Sequence, residues 1–347
     1  MENEIKDNIK VEADNQASLR KNDHIELAFK SAVTAEKVDN RFYYEPILSA
    51  HPDKESTLDH RIASRHMSYP LWVSSMTGGT EKASTINHNL AKVCGEFGLG
   101  MGLGSCRQLL YEDKRLSEFD LRQYMVDQPL FINLGIAQIE ELLAQGEEDR
   151  INILLTKLQA DGLIIHVNPM QEWLQPEGDR YQQSALETII QLLDKVDYPV
   201  IVKEVGQGFG LKSLEELLKL PIEAIDLAGF GGTNFSMLEL IRSDVVRHDS
   251  FKNVCQIGHT CEEMVNMINQ LKSDNKINIQ AKRIIISGGV KGFLDGYYLM
   301  QKCQMPSIYA QASGFLRYAL DIDALRQYVT NQIEGLKMAN AFLKIKS

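Results

Sequence analysis

The chain has 347 residues, 44% of them hydrophobic and 24% charged, enough apolar material for one large α/β domain or two ordinary ones, which excludes a small disulfide scaffold and a disordered chain. A formal net charge of −10 disfavours nucleic acid as a partner while leaving room for a local basic pocket that takes a small anion. No run approaches the roughly eighteen apolar residues of a membrane span, the polar start MENEIKDNIKVEADNQ has no signal-peptide character, and five cysteines (Cys94, Cys106, Cys255, Cys261, Cys303) share no C-x-x-C spacing. The expectation is a cytoplasmic protein with no membrane contact, no disulfide framework and no zinc cluster.

Residues 1 to about 40 lack an apolar period until IELAFKSAV, so they read as a mobile tip followed by a short helix, an extension to a main domain over 41–347. From Leu71 onward, short apolar runs alternate with segments of helical period, the pattern of parallel βα units. Eight strands are predicted: LWVSSM, GLGMGL, LFINLG, GLIIHVN, VIVKEV, AIDLAG, RIIISGG and SIYAQAS. Helices are predicted at INHNLAKVCGEFG, RINILLTKLQA, SALETIIQLLDKV, SLEELLKL, TCEEMVNMINQL and GFLDGYYLMQKC, where apolar residues recur near i, i+3, i+4 and i+7. The stretch from Gly229 to Arg283 is too long for one βα unit and predicts a loop with an extra helix; the C-terminal segment closes the fold with one or two helices. Eight alternations give a (β/α)₈ barrel, an α/β fold; an open doubly wound sheet would carry G-x-G-x-x-G after the first strand, and LWVSSM is not followed by it.

Strands buried on both faces are nearly all apolar, so polar residues at their ends mark candidate chemistry. Here almost every strand runs into one. The ends carry Met76-Thr77-Gly78-Gly79, Ser105-Cys106-Arg107, Asn133, His166 with Asn168, Lys203, Gly231-Gly232-Thr233-Asn234, Ser287-Gly288-Gly289 and Ala312-Ser313-Gly314. A single Ser, Thr or Asn there is most often a helix cap. Eight together, in a barrel, converge on one mouth.

In strand four, alternation places Ile164, His166 and Asn168 on one face and Leu163, Ile165 and Val167 on the other, which sends His166 and Asn168 inward. Gln171 and Glu172 follow at once, and a lone carboxylate among amides suits Mg²⁺, which keeps waters and shares its shell with substrate phosphates. Asp179 and Arg180 read as loop-capping residues. In strand five one of Lys203 and Glu204 must point inward, and hydrophobicity alone leaves the choice open. The glycines at 231–232 and 288–289, with Ala312-Ser313-Gly314, let backbone N–H groups approach a phosphate after strands six to eight. Arg20, Lys21 and His24 form R-K-x-x-H in the N-terminal extension, three donors suited to a highly charged substrate.

With RKNDH at 20–24, SSMTGGT at 74–80, GLGSCR at 102–107, HVNPMQEWLQPEGDR at 166–180, VKEVGQGFG at 202–210, DLAGFGGTNF at 226–235 and SGGV at 287–290, the sequence closely resembles type 2 isopentenyl-diphosphate delta-isomerases, the FMN-dependent isoprenoid enzymes, from about Arg20 to the C-terminal helix. The resemblance implies a barrel with FMN at its C-terminal face, Mg²⁺ bridging to the substrate diphosphate, reduced flavin commonly supplied through NADPH, and a homo-oligomer, tetramer or octamer. By position it implies Met76, Thr77, Gly78, Ser105, Asn133, Lys203 and Thr233 along the flavin ring and ribityl chain, and Gly288, Gly289, Val290, Ala312 and Ser313 at its phosphate. Substrate contacts are implied at Arg20, Lys21, His24, Ser105, Arg107, His166, Asn168 and Gln171. Glu172 is the implied metal ligand, and Gln171, His166, Asn168 and Lys203 the implied catalytic group. Two departures are local: Cys106 stands where relatives often carry glutamine, and Gln311 where a glycine is usual.

The implied reaction adds a proton to the terminal alkene carbon of isopentenyl diphosphate and removes one from C2. Alkenes are poor bases, so an acid must be held against the double bond away from water. With Glu172 on the metal, no aligned carboxylate is left for this, which assigns acid and base to the reduced flavin, with Lys203 stabilising charge on the ring and Gln171 orienting the alkene. Two other readings compete. A 2-hydroxy-acid oxidase needs a histidine base beside an arginine clamp, and the candidate region QIGHTCEEM has His259 with no arginine nearby. A flavin-sensing module would not need His166, Asn168, Gln171 and Glu172 together.

Overall fold

The computed structural model describes residues 19–75, 78 and 80–346. The expected mobile tip within 1–18, and Met76, Thr77 and Gly79, lie outside the described residues. The chain divides into two units, one of residues 1–43 with 346–347 and one of residues 44–345. In the first, residues 19–27 are helical and carry the exposed Arg20, Lys21 and His24. This corrects the predicted position: IELAFKSAV supplies only the end of that helix, which starts in the polar stretch before it.

The second unit contains a closed barrel of eight parallel strands: β1 Leu71–Val73, β2 Gly100–Gly102, β3 Leu130–Gly135, β4 Gly162–His166, β5 Val200–Lys203, β6 Ala224–Asp226, β7 Ile284–Ile286 and β8 Ser307–Gln311. Neighbours pair in chain order, and β8 returns to β1 through Tyr309 opposite Leu71. All eight predicted strands are the barrel strands. Helices α1 (Glu81–Phe97), α2 (Ile136–Gln145), α3 (Asp149–Leu158), α4 (Pro169–Leu174), α5 (Ala185–Leu193) and α6 (Leu211–Leu218) follow in the first five units. Then come α7 (Phe235–Arg242), α8 (Val245–Phe251), α9 (Cys261–Asp274), α10 (Phe293–Lys302), α11 (Ser313–Leu316) and α12 (Ile322–Phe342). The long excursion after β6 therefore holds two helices before α9 where one was expected. The second βα unit replaces its α-helix with three 3₁₀ turns, at Arg107–Leu110, Leu116–Glu118 and Arg122–Tyr124.

One face of each strand fills the barrel. Trp72, Phe131, Ile164, Ile201, Ala224, Ile285, Ile308 and Ala310 form a single buried cluster, with Trp72 edge-on to Phe131 at 5.8 Å. Full burial of each large side chain contributes on the order of 1.5–3 kcal/mol. Ile62 and Met67 join this cluster from a hairpin, His60–Ile62 paired with Arg65–Met67, that seals the end of the barrel where the strands begin. Its two-residue turn sits at positive φ on Ala63 and Ser64 (49° and 67°) without the usual Asn or Gly, and so left no signature in the sequence. The buried Glu223 carboxylate anchors it, accepting the Ala63 amide at 3.0 Å while pairing with Arg283 at 3.0 Å and Lys282 at 2.9 Å. With that end filled, the strand C-termini and the loops after them form the open mouth.

Candidate active site

The interior rows settle which polar side chains face the mouth. Ile164 lies in the barrel cluster, so His166, two residues on, follows it inward; Ile201 does the same for Lys203. Glu204 points outward, where its Oε2 accepts the amides of Gly206, Gln207 and Gly208 at 2.6–2.8 Å. His166, Lys203 and Asp226 thus stand in register across β4, β5 and β6, while Asn133, in register with Ile164, faces inward one step below His166. Asn168 lies beyond the end of β4, at the start of α4, so strand alternation does not orient it; the helix does.

His166 donates Nδ1–H to Oδ1 of Asn133 at 2.7 Å, which leaves Nε2 with a lone pair. Its edge reaches solvent, yet burial, and after it the Lys203 charge, lowers its pKa to about 3. The ring is neutral at physiological pH and serves as a hydrogen-bonding group. A histidine that stays neutral when folded and takes up a proton when unfolded makes the unfolded state bind more protons below its ordinary pKa of 6.5. Stability is therefore expected to fall as pH drops from about 6.5 towards 3, and His166→Gln to flatten that slope. Urea unfolding at stepped pH checks it; equal slopes in the two proteins would place the ring in a charged state.

A second network joins the loops after β2, β3, β4 and β6. Asn168 donates Nδ2–H to Gln171 Oε1 at 3.1 Å and to Glu172 Oε1 at 2.9 Å, while its Oδ1 accepts from the Tyr181 hydroxyl at 3.0 Å. Glu172 Oε2 accepts the Asp179 amide at 2.7 Å. The Asp179 carboxylate in turn receives Arg107 at 3.0 Å and Gln138 at 2.9 Å. Arg107, Asn168, Gln171 and Glu172 are thereby brought together. Asp179 is the junction of this network, more than the loop cap that the sequence reading made of it; Arg180 does act as a clamp, bonding the carbonyls of Glu172, Gly178 and Asp179.

Glu239 is a further carboxylate in this network, one that the sequence does not single out. It is 4% exposed, accepts from Gln171 Nε2 at 3.2 Å, and pairs with Arg242 at 2.6 Å. In FSMLELIR it reads as the polar position of an amphipathic helix; only the packing of α7 on α4 turns it towards Gln171.

Ser74, Lys203, Gly232, Thr233, Gly288, Gly289, Val290, Ala312 and Ser313 line one pocket. Backbone at positive φ on Gly231, Gly288 and Gly289 (111°, 87° and 72°) shapes it, as an anion cradle requires. Gln311 is also among the lining residues, its side chain tied down by donating to Val290 O at 3.1 Å and accepting from Tyr328 at 2.9 Å. Cys106 is buried, with its amide on Asn133 O at 2.7 Å, and Ser105 beside it is exposed. These residues fit a phosphate-bearing ligand lying across the mouth. Among the described residues no group of three or more His, Cys, Asp or Glu is arranged to hold a metal. Glu172 alone fits a cation that completes its shell with water and phosphate, as Mg²⁺ does.

No family model matches the chain. An isopentenyl-diphosphate delta-isomerase from Rickettsia felis is 31% identical over 92% of this chain and 90% of its own length. One from Rickettsia akari is 33% identical over 80% of this chain and 79% of its own. The chain belongs to the isopentenyl-diphosphate delta-isomerase family. Solved structures of similar fold include a flavocytochrome b2 mutant with benzoylformate (TM-score 0.59, 12% identity, 88% of this chain and 76% of that one). A mandelate oxidase mutant with a monooxide FMN adduct (TM-score 0.53, 11% identity, 89% and 88%) is another. At such identities they speak for the barrel alone. The family member carries all five cysteines as buried free thiols, and among its described residues no helix is long and apolar enough to cross a membrane.

Proposed function

We propose that this chain interconverts isopentenyl diphosphate and dimethylallyl diphosphate at the barrel mouth, with reduced FMN in the glycine-lined pocket and Mg²⁺ at Glu172. The observation that carries this reading is the adjacency of two assemblies. One is a pocket that unites Lys203, Thr233, Gly288–Val290 and Ala312–Ser313; the other is a network that holds Arg107, Asn168, Gln171 and Glu172. The curated relatives carry the name of this activity. Reduced FMN, when bound, supplies the acid and base of the 1,3-allylic shift, and NADPH serves only to keep it reduced.

The protein's own groups then have distinct tasks. Lys203 places positive charge where the ring becomes electron-rich, and Asn133 fixes the tautomer of His166 so that Nε2 accepts a hydrogen bond. Gln171, gripped by Asn168 and Glu239, presents a fixed amide to the substrate. Arg107 meets the diphosphate, with Ser105 beside it. Met76, Thr77 and Gly78 are assigned to the flavin by the resemblance alone. The proposal extends to Arg20, Lys21 and His24, three donors suited to neutralising the diphosphate. It also extends to a cytoplasmic homo-oligomer, tetramer or octamer.

The oxidase reading loses its base. His259 lines a separate cavity of about 500 Å³ with Val202, Glu204 and residues of α5 and α6, on the outer face of the strands. The decisive experiment is turnover of isopentenyl diphosphate by purified protein supplied with reduced FMN or with its 5-deaza analogue, which lacks the basic ring nitrogen. Activity is expected with FMN, with no net NADPH consumption, and loss of at least about 100-fold with the analogue. Equal rates would refute the flavin's acid–base role, and stoichiometric NADPH oxidation would restore the oxidoreductase.

A further inference from the structure

Asp226 ends β6 and is 1% exposed, yet neither the diphosphate network nor the glycine pocket uses it directly. It lies under the pocket floor. Its Oδ1 accepts from the Ser287 hydroxyl, whose oxygen in turn accepts the Ala228 amide at 2.9 Å, and Ser74 and Ser287 both line the pocket above. Oδ2 has no hydrogen-bond partner among the described residues. In register beside it stands Lys203, whose ammonium donates to its own neighbour's carbonyl, Glu204 O, at 2.5 Å. The other titratable groups around Lys203 are accounted for: His166, in register with it on β4, is neutral, and the Glu204 carboxylate faces outward onto three amides.

A carboxylate with one oxygen unpaired in a barrel interior is costly unless a charge answers it. Lys203 is the cation in register. The lysine does not need Asp226 for its orientation, because the Glu204 carbonyl already holds the ammonium. What remains for the carboxylate is its charge. We propose that Asp226 is a positioning residue that acts through Lys203: it offsets part of the ammonium's field and so sets how strongly an electron-rich ring in the pocket is stabilised. Burial raises the Asp226 pKa, while Lys203 foremost and the Ser287 hydroxyl after it favour the ionised form. An over-strong field would make a reduced ring too weak a base for the allylic shift, so the pair balances retention of the reduced state against basicity. This inference rests on the flavin reading above.

The test is the midpoint potential of the bound flavin in wild type, Asp226→Asn, Lys203→Met and the double variant. The expected pattern is a positive shift for Asp226→Asn, a negative one for Lys203→Met, and a double variant between the two. In Asp226→Asn, kcat falls with KM unchanged. An unmoved or negative potential in Asp226→Asn overturns the proposal, since loss of a merely structural aspartate would not raise it. A second measurement needs no flavin: urea unfolding of the same four apoproteins. Coupling of the two side chains makes their effects non-additive, the double variant being no less stable than Asp226→Asn; recovery of a folded protein in the double variant where Asp226→Asn alone fails to fold reads the same pairing. Additive losses, or a double variant that also fails to fold, overturn it. If wild type takes up no FMN, the functional reading fails while this cycle still decides the pairing.

Discussion

Glu172→Ala is expected to lose almost all turnover, at least about a thousandfold, while the purified variant stays yellow. Glu172 is the carboxylate on α4 that both Asn168 and the Asp179 amide hold in place, at 2.9 and 2.7 Å, and neither contact exhausts the roughly four lone-pair positions of a carboxylate. A Mg²⁺ held there would take one protein ligand, waters and the two phosphates of the substrate, so removing the ligand removes the clamp on the diphosphate. The glycine pocket stands on different loops, after β6, β7 and β8, and shares no residue with this carboxylate. Cofactor content and metal dependence should therefore separate. Because Glu172 also anchors the loop carrying Asp179, Glu172→Gln distinguishes charge from architecture: it keeps an oxygen for the Asp179 amide and loses the anion. Rates titrated against Mg²⁺ after chelator treatment check both variants. A fully active Glu172→Gln, or a colourless Glu172→Ala, would remove the residue from the metal and put it in the scaffold or at the flavin.

The barrel was legible because parallel strands buried on both faces leave continuous apolar runs bounded by glycine, and each of the eight carries one. What pattern could not supply was the third dimension. In VIVKEV both charges sit among β-branched residues, and only closure of the sheet, which commits Ile201 to the interior cluster, places Lys203 at the mouth and Glu204 on the outside. Asp226 hides in DLAGFGG, where an aspartate before a glycine-rich turn reads as a cap; its burial emerges from the register of β6 against β5. Glu239 hides in an amphipathic helix, and Asp179 in a polar loop. Helix α2, where Ile136, Ile139 and Leu142 have helical spacing, starts directly at the end of β3 with Gly135 as its cap, so the strand and helix patterns run together in the sequence. The residues that were found, His166, Asn168, Gln171 and Glu172, share one strand–helix junction, so their proximity is local in sequence. The ones missed act across loops.

Gly288→Ala is expected to abolish flavin retention on purification, with affinity for FMN reduced by about 100-fold or more, in a protein that still folds. Gly288 sits at φ 87°, and a methyl group there would lie 2.2 Å from both the N and the O of Gly229. Those atoms are backbone, and the Gly229 amide is itself committed to Ser287 O at 2.7 Å, so no side chain can swing aside. The loops after β6 and β7 would have to part beside the pocket that Gly288 lines. Non-glycine backbone strain at such a φ costs about 1–3 kcal/mol by itself, which a barrel of this size survives. Gly146→Ala isolates that part of the effect. It has a similar φ of 66° at the end of α2 but nothing within 4 Å of the added carbon, so it should cost about 1 kcal/mol and leave the flavin untouched. Flavin content after gel filtration, FMN titration of the apoprotein and urea unfolding of both variants make the comparison. If Gly288→Ala holds FMN as tightly as wild type, the phosphate does not lie between these loops. If the two variants lose equal stability and equal flavin, backbone strain alone is responsible, and the contact with Gly229 carries no weight in shaping the pocket.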